Sequence, residues 1–139
     1  TILARQDDLA AIRWIAENTP AGETVLINPF AWGYGLYAGN DGGYWITPLA
    51  GRTTLPPPVL YGMGDQANWD NVELINGFLK AAIDAGADPE ILAREMEKAG
   101  VRYLFIGGRG GVFSAEKLRN SFLFNVLYNQ NNVWLFEVK

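Results

Sequence analysis

The chain has 139 residues, enough for one domain with a sizeable core. Its hydrophobic share of 49% and charged share of 19% are those of an ordinary globular protein, not of a disordered or fibrous one. A net charge of −4 at pH 7 excludes the basic footprint of a nucleic-acid-binding surface, and the absence of Cys and His excludes thiol nucleophiles, sulfur- or imidazole-ligated zinc and Ser-His-Asp triads.

Carboxylates, Lys, Tyr and Ser remain for chemistry, and neither a metal site nor a cofactor is expected. No leader pattern opens the chain, and no run reaches the roughly 18 apolar residues of a membrane span. The chain enters a helix almost at once, so it is expected to be a piece of a longer polypeptide.

In chain order, Asp7–Asn18 reads as a helix with Leu9, Ile12, Ile15 and Ala16 on one face, Trp14 off that stripe, and Asp7 and Asp8 in its first turn. Asn18-Thr19-Pro20 ends it, because the residue before proline avoids the helical region. Thr24–Asn28, TVLIN, is a short β-branched run that reads as a buried strand.

Asn28–Gly62 follows, a glycine-jointed segment carrying Trp32, Tyr34, Tyr37, Tyr44, Trp45 and Tyr61. Its aromatic content argues against disorder, and a long irregular segment within a compact domain is commonly functional. Most of it shows neither helical nor strand period. Tyr44–Pro48 is expected to be extended, and Pro56–Pro58 to lie in the polyproline region.

Trp69–Ala85 reads as a long helix with Val72, Ile75, Phe78, Leu79, Ala82 and Ile83 as its stripe, Asn68 or Asp70 at its start and Gly86 at its end. Asp88-Pro89 starts another, lined by Leu92, Met96 and Ala99 and closed by Gly100. Val101–Ile106 is apolar at nearly every position and is expected to be buried on both faces. Ser114 caps a short helix through Asn120. Phe124–Tyr128 and Val133–Val138 flank Asn129–Asn132 as a hairpin with a four-residue loop.

Helical connections between buried strands imply parallel pairing, and the terminal hairpin adds antiparallel strands. The expectation is a single α/β domain over residues 1–139. It has a small mixed sheet, parallel strands plus a C-terminal antiparallel hairpin, and flanking helices in Rossmann-like layering.

Three stretches invite a functional reading. Gly107–Gly111, GGRGG, lies between a strand and a helix, where phosphate loops sit, but it lacks the spacing of the dinucleotide fingerprint and the Walker lysine, so a tight turn is the better reading. Asp41, Asp65 and Asp70 lie in or after the aromatic segment. Paired carboxylates beside aromatic platforms are the ingredients of glycoside hydrolysis, yet nothing in the sequence sets a pair at the required separation. The aromatics themselves either fill the domain's own core or include exposed rings that stack on a ligand or meet a membrane interface, as the amphipathic rings of Trp and Tyr permit.

Trp14–Pro20, WIAENTP, followed by a strand and Trp32–Leu36, WGYGL, resembles the junction after the last membrane helix of polytopic GT-C glycosyltransferases. That group includes protein O-mannosyltransferase-like and oligosaccharyltransferase-like proteins. Ala50-Gly51-Arg52 with its two threonines, and the closing FNVLYNQNNVWLFEV, resemble further stretches of such proteins in the same order. The chain departs from the oligosaccharyltransferase signature in lacking the aspartate before Tyr-Gly, since it reads Phe30-Ala31-Trp32-Gly33-Tyr34.

The resemblance implies a non-catalytic accessory domain on the extracytoplasmic face of a multi-pass membrane glycosyltransferase with a lipid-linked donor. Its partner would be the transmembrane portion of the same polypeptide, with a glycan or lipid-linked sugar as ligand. No catalytic residue carries over. The ligand-facing candidates are Trp32, Tyr34, Tyr37, Asp41, Tyr44, Trp45 and Arg52. The alternative is a carbohydrate-binding module that uses the same rings as stacking platforms.

Overall fold

The computed structural model describes residues 4–64, 68–86 and 88–139. Its elements run α1 (Gln6–Asn18), β1 (Thr24–Leu26), β2 (Pro29–Gly33), β3 (Leu36–Gly39), α2 (Ile46–Ala50), β4 (Thr53–Leu55), α3 (Trp69–Ala85), α4 (Pro89–Lys98), β5 (Tyr103–Ile106), α5 (Ala115–Arg119), β6 (Phe124–Gln130) and β7 (Val133–Val138). A five-stranded sheet has the order β4-β1-β5-β7-β6, and β2 and β3 form a separate two-stranded ribbon. β1 pairs in parallel with both β4 and β5, whereas β7 is antiparallel to β5 and β6. The mixed α/β architecture expected from the sequence is the one observed.

Side chains of a strand alternate between faces, and here both faces are buried. Leu26, Leu104, Ile106, Trp134 and Phe136 point into a core shared with Leu79 and Ala82 of α3, Leu92 and Met96 of α4, and Leu118 of α5. Their neighbours Val25, Tyr103, Phe105, Val133 and Leu135 point into a second core with Ala11, Ile12 and Ile15 of α1 and Ile46 of α2. The result is three layers, helices on both sides of the sheet, which explains the nearly unbroken apolar runs of β5 and β7. In α1 the inward face is Asp8, Ala11, Ile12 and Ile15, while Leu9 is left 42% exposed, one step off the expected stripe.

Local signals set several boundaries. Asp88 accepts from the amides of Glu90 and Ile91 at the start of α4 with Pro89 at its first position, and Ser114 accepts from Lys117 at the start of α5. Gly86 ends α3 at φ 54°. Asn68 gives α3 no side-chain cap; its amide donates instead to the Tyr61 carbonyl at 2.9 Å.

The structure corrects other expectations. The β6–β7 connection is two residues, Asn131-Asn132, both at positive φ (49° and 65°), the type I′ geometry that Asn tolerates and that matches strand twist. Tyr44–Pro48 is not extended. Gly42–Trp45 is a turn of 3₁₀-helix that runs into α2, where Pro48 falls in the first turn and needs no donor. The aromatic segment holds two strands, a helix and β4 where no regular pattern was expected.

Phe105 lies fully buried on the central strand, so Phe105→Ala is expected to cost about 3–5 kcal/mol, read as a lowered denaturant midpoint with an unchanged slope.

Candidate functional site

The β2–β3 ribbon leaves the sheet through a polar clamp. Asn28, just before β2, and Asp41, just after β3, are both fully buried. The Asn28 side-chain amide donates to Asp41 Oδ2 at 2.9 Å, and the Asn40 amide donates to the Asn28 carbonyl at 2.7 Å. Asp41 Oδ2 also accepts from the Gly107 amide at 2.8 Å and Oδ1 from the Gly43 amide at 2.9 Å, while Asn28 Oδ1 accepts from the Phe113 amide at 3.2 Å. From α1, fully buried Asp8 accepts from the Gly108 amide at 2.8 Å and from the Arg5 amide at 2.7 Å.

Burial pushes the Asp41 carboxyl above its ordinary range, against the pull of its Asn28, Gly107 and Gly43 donors, and the nearby Asp8 adds to the rise. The approach is so close that a Cβ at Gly107 would lie 2.9 Å from Asp8 Oδ1, and one at Gly43 would lie 2.5 Å from Ile27. Glycine is required there for space.

This geometry answers the phosphate-loop question. The amides of Gly107 and Gly108 that would cradle an anion already hold the carboxylates of Asp41 and Asp8. Gly110 closes the turn by donating to the Gly107 carbonyl at 2.9 Å. GGRGG is a tight turn built around two internal carboxyl groups, and Arg109 is exposed.

Two of the ligand-facing candidates have internal duties. Asp41 belongs to the clamp. Arg52, only 9% exposed, donates to the carbonyls of Ala50 (2.6 Å), Thr19 (2.6 Å) and Ala16 (3.2 Å) and to Thr19 Oγ1 (3.2 Å). It neutralises the C-terminal ends of α1 and α2, where helix carbonyls lack partners and carry partial negative charge. Neither group faces outward. Of the other carboxylates, Asp70 is exposed in the first turn of α3 and Asp65 lies outside the described residues.

Tyr37 and Tyr44 are half-buried supports. The Tyr37 amide donates to the Tyr61 hydroxyl at 3.0 Å, which donates to Asn76 Oδ1 at 2.7 Å, and the Asn76 amide reaches back to the Gly35 carbonyl at 2.7 Å. Tyr44 donates to the Pro57 carbonyl at 3.1 Å. Burial raises both the Tyr44 and Tyr61 hydroxyls above the ordinary phenol range, so both stay donors at neutral pH. Asn76, unmarked in the sequence, thereby pins the ribbon to α3.

The remaining rings are presented outward. Trp32 is 56% exposed, Tyr34 is fully exposed and Trp45 is 47% exposed. Phe30, which the sequence reading passed over, stands edge-on to Trp32 with ring centres 5.9 Å apart. Tyr34 and Gly35 form the two-residue turn, at φ 54° and 73°. A bulky residue in the left-handed region is strained by roughly 1–2 kcal/mol. Asn or Gly would be the relaxed choice, so a tyrosine here points to a use for its ring.

A separate groove of about 470 Å³ runs between α3 and α4 beside Leu55, lined by Leu74, Ile75, Phe78, Glu73 and Lys98. None of the ligand-facing candidates from the sequence lines it. Among the described residues there is no cluster of acidic side chains able to hold a metal ion, and no helix is long and apolar enough to cross a membrane.

Clamp and display are separable by mutation. Asp41→Ala strands three buried N–H donors and is expected to cost about 3–5 kcal/mol. Tyr34→Asn, which creates the favoured Asn-Gly turn, is expected to stabilise by about 0.5–1 kcal/mol. Paired denaturation curves check both signs.

No family model matches the chain, and no curated protein does. Among solved structures, the C-terminal globular domain of oligosaccharyltransferase (AfAglB-S2) from Archaeoglobus fulgidus superposes with a TM-score of 0.53 at 19% sequence identity, covering 97% of this chain and 98% of that one. The chain therefore shares the fold of that globular domain from end to end.

Proposed function

We propose that this chain is a non-catalytic accessory domain of a membrane-embedded glycosyltransferase that uses a lipid-linked sugar. It lies on the extracytoplasmic face, linked to the transmembrane portion of the same polypeptide. The β2–β3 ribbon, with Trp32 and Tyr34 at its tip, helps to shape the acceptor or sugar site.

One observation carries the reading: the fold match to an oligosaccharyltransferase's globular domain leaves almost no residue of either chain unaccounted for. The motif order along the sequence supports it independently, from Trp14–Pro20 through Trp32–Leu36 to the closing hairpin. The chemistry of the surface agrees. The outward groups of the ribbon are rings, suited to contact rather than to proton transfer, while Asp41, the candidate acid within the aromatic segment, is consumed by the clamp.

The exposure of Trp32 and Tyr34 also suits a free carbohydrate-binding module, since such rings stack on sugar faces. That reading requires the isolated chain to bind soluble glycans, and calorimetric titration separates the two.

Since the chain has no cysteine, Glu97→Cys on the exposed side of α4 gives it a unique thiol. In intact cells making the full-length, otherwise cysteine-free protein, a membrane-impermeant maleimide is expected to label it. Labelling only after lysis would place the domain in the cytoplasm and overturn the proposal.

A further inference from the structure

Gly77 sits at the centre of the 17-residue helix α3 and is exposed. Its backbone is helical rather than left-handed, and among the described residues nothing lies within 4 Å of a Cβ built on it. Neither backbone angle nor space within the chain asks for glycine there, unlike Gly107 and Gly43, where a Cβ would collide. Glycine is nevertheless among the poorest helix formers. An outward glycine in mid-helix marks a place where something outside the chain comes close to the backbone. Gly77 lines the groove of about 470 Å³ between α3 and α4, with Ala99, another small residue, on the opposite wall. Leu74, one turn before Gly77, also lines it and is 75% exposed.

We infer that this groove is where two copies of the chain meet about a two-fold axis. The α3 helices run antiparallel, and Leu74 of each copy seats over Gly77 of the other. A two-fold contact must be complementary to itself, with protrusion and recess, and both signs of charge, on one patch. The groove carries both kinds of pair. Leu74 and Gly77 are the protrusion and the recess, on one face of one helix. Glu73 stands on the α3 wall and Lys98 on the α4 wall, so a two-fold axis through the groove sets each against the opposite charge. A partner of one strong charge would call for a rim of the other sign, whereas Glu73, Glu95 and Lys98 supply both, with Lys98 held 2.8 Å from Glu95. A flexible hydrocarbon chain would need no glycine, because what glycine provides is close approach to a helix backbone. The inference is independent of the glycosyltransferase reading above.

The test is sedimentation equilibrium of the 139-residue chain over a range of concentrations, with thermal melts of the dilute monomer alongside. The expected result is a reversible monomer–dimer equilibrium with a dissociation constant of about 0.1 mM or tighter. Gly77→Gln puts a better helix former into open space, so the monomer's thermal midpoint should rise. The same side chain fills the recess, so the dimer should weaken by about tenfold or more. A rise in one readout with a loss in the other is what a purely structural glycine would not give. Leu74→Gln should weaken the dimer to a similar degree and keep the midpoint. Phe122→Ser, which removes a ring 77% exposed after α5, should leave the association unchanged. The inference is overturned by a monomer at every concentration up to about 1 mM, by an undiminished dimer in the Gly77 variant, or by an equal loss in the Phe122 variant. Association that appears only with added phosphatidylcholine vesicles would assign the groove to lipid and overturn it as well.

Discussion

Two buried carboxylates reading out the backbone of one glycine-rich turn hold this molecule together. Asp41 and Asp8 take the amides of Gly107 and Gly108, and Asn28 bridges Asp41 to Phe113. The contacts join α1, the end of β1, the exit of β3 and the end of β5 at one point. Charge-assisted bonds to buried carboxylates are strong when made and costly when broken. A ribbon rooted in such a clamp keeps a fixed direction even though it adds no strand to the main sheet.

That arrangement separates stability from display. The two apolar cores and the clamp fix the sheet and its helices, and Arg52 ties off the ends of α1 and α2. Asn76 and Tyr61 tie the turn end of the ribbon to α3. Phe30, Trp32 and Tyr34 are then free to project without contributing to the core. Polar residues support and aromatic residues reach out, an inversion of the usual placement.

Much of the layering was legible in the sequence because it rests on local rules. The stripe of α3, the Asp88-Pro89 start of α4 and the doubly buried run of β5 each follow from periodicity or capping. The β2–β3 ribbon was not legible: four of the five residues of β2 are exposed, so no alternation between a wet and a dry face marks it. Its turn uses Tyr-Gly where Asn-Gly would have announced a hairpin. The duties of Asp41 and Arg52 were hidden for a different reason, since their partners lie 66 and 33 residues away and only the folded chain brings them together. The glycines of GGRGG resembled a phosphate site because the turn's amides do point at acceptor oxygens; those oxygens belong to the protein's own Asp41 and Asp8.

The central claim is that the ribbon's rings serve a membrane glycosyltransferase rather than the fold. Sugar transfer by the full-length protein in its native membrane tests it most directly, comparing Trp32→Ala with Tyr34→Ala against Phe122→Ala after α5. The double ring variant is expected to keep its thermal midpoint and to lose transfer by about tenfold or more, the loss of roughly 1.4 kcal/mol or more of binding at the site, while the Phe122 variant transfers normally. Unchanged transfer in the ring variant, or an equal loss in both, would contradict the account.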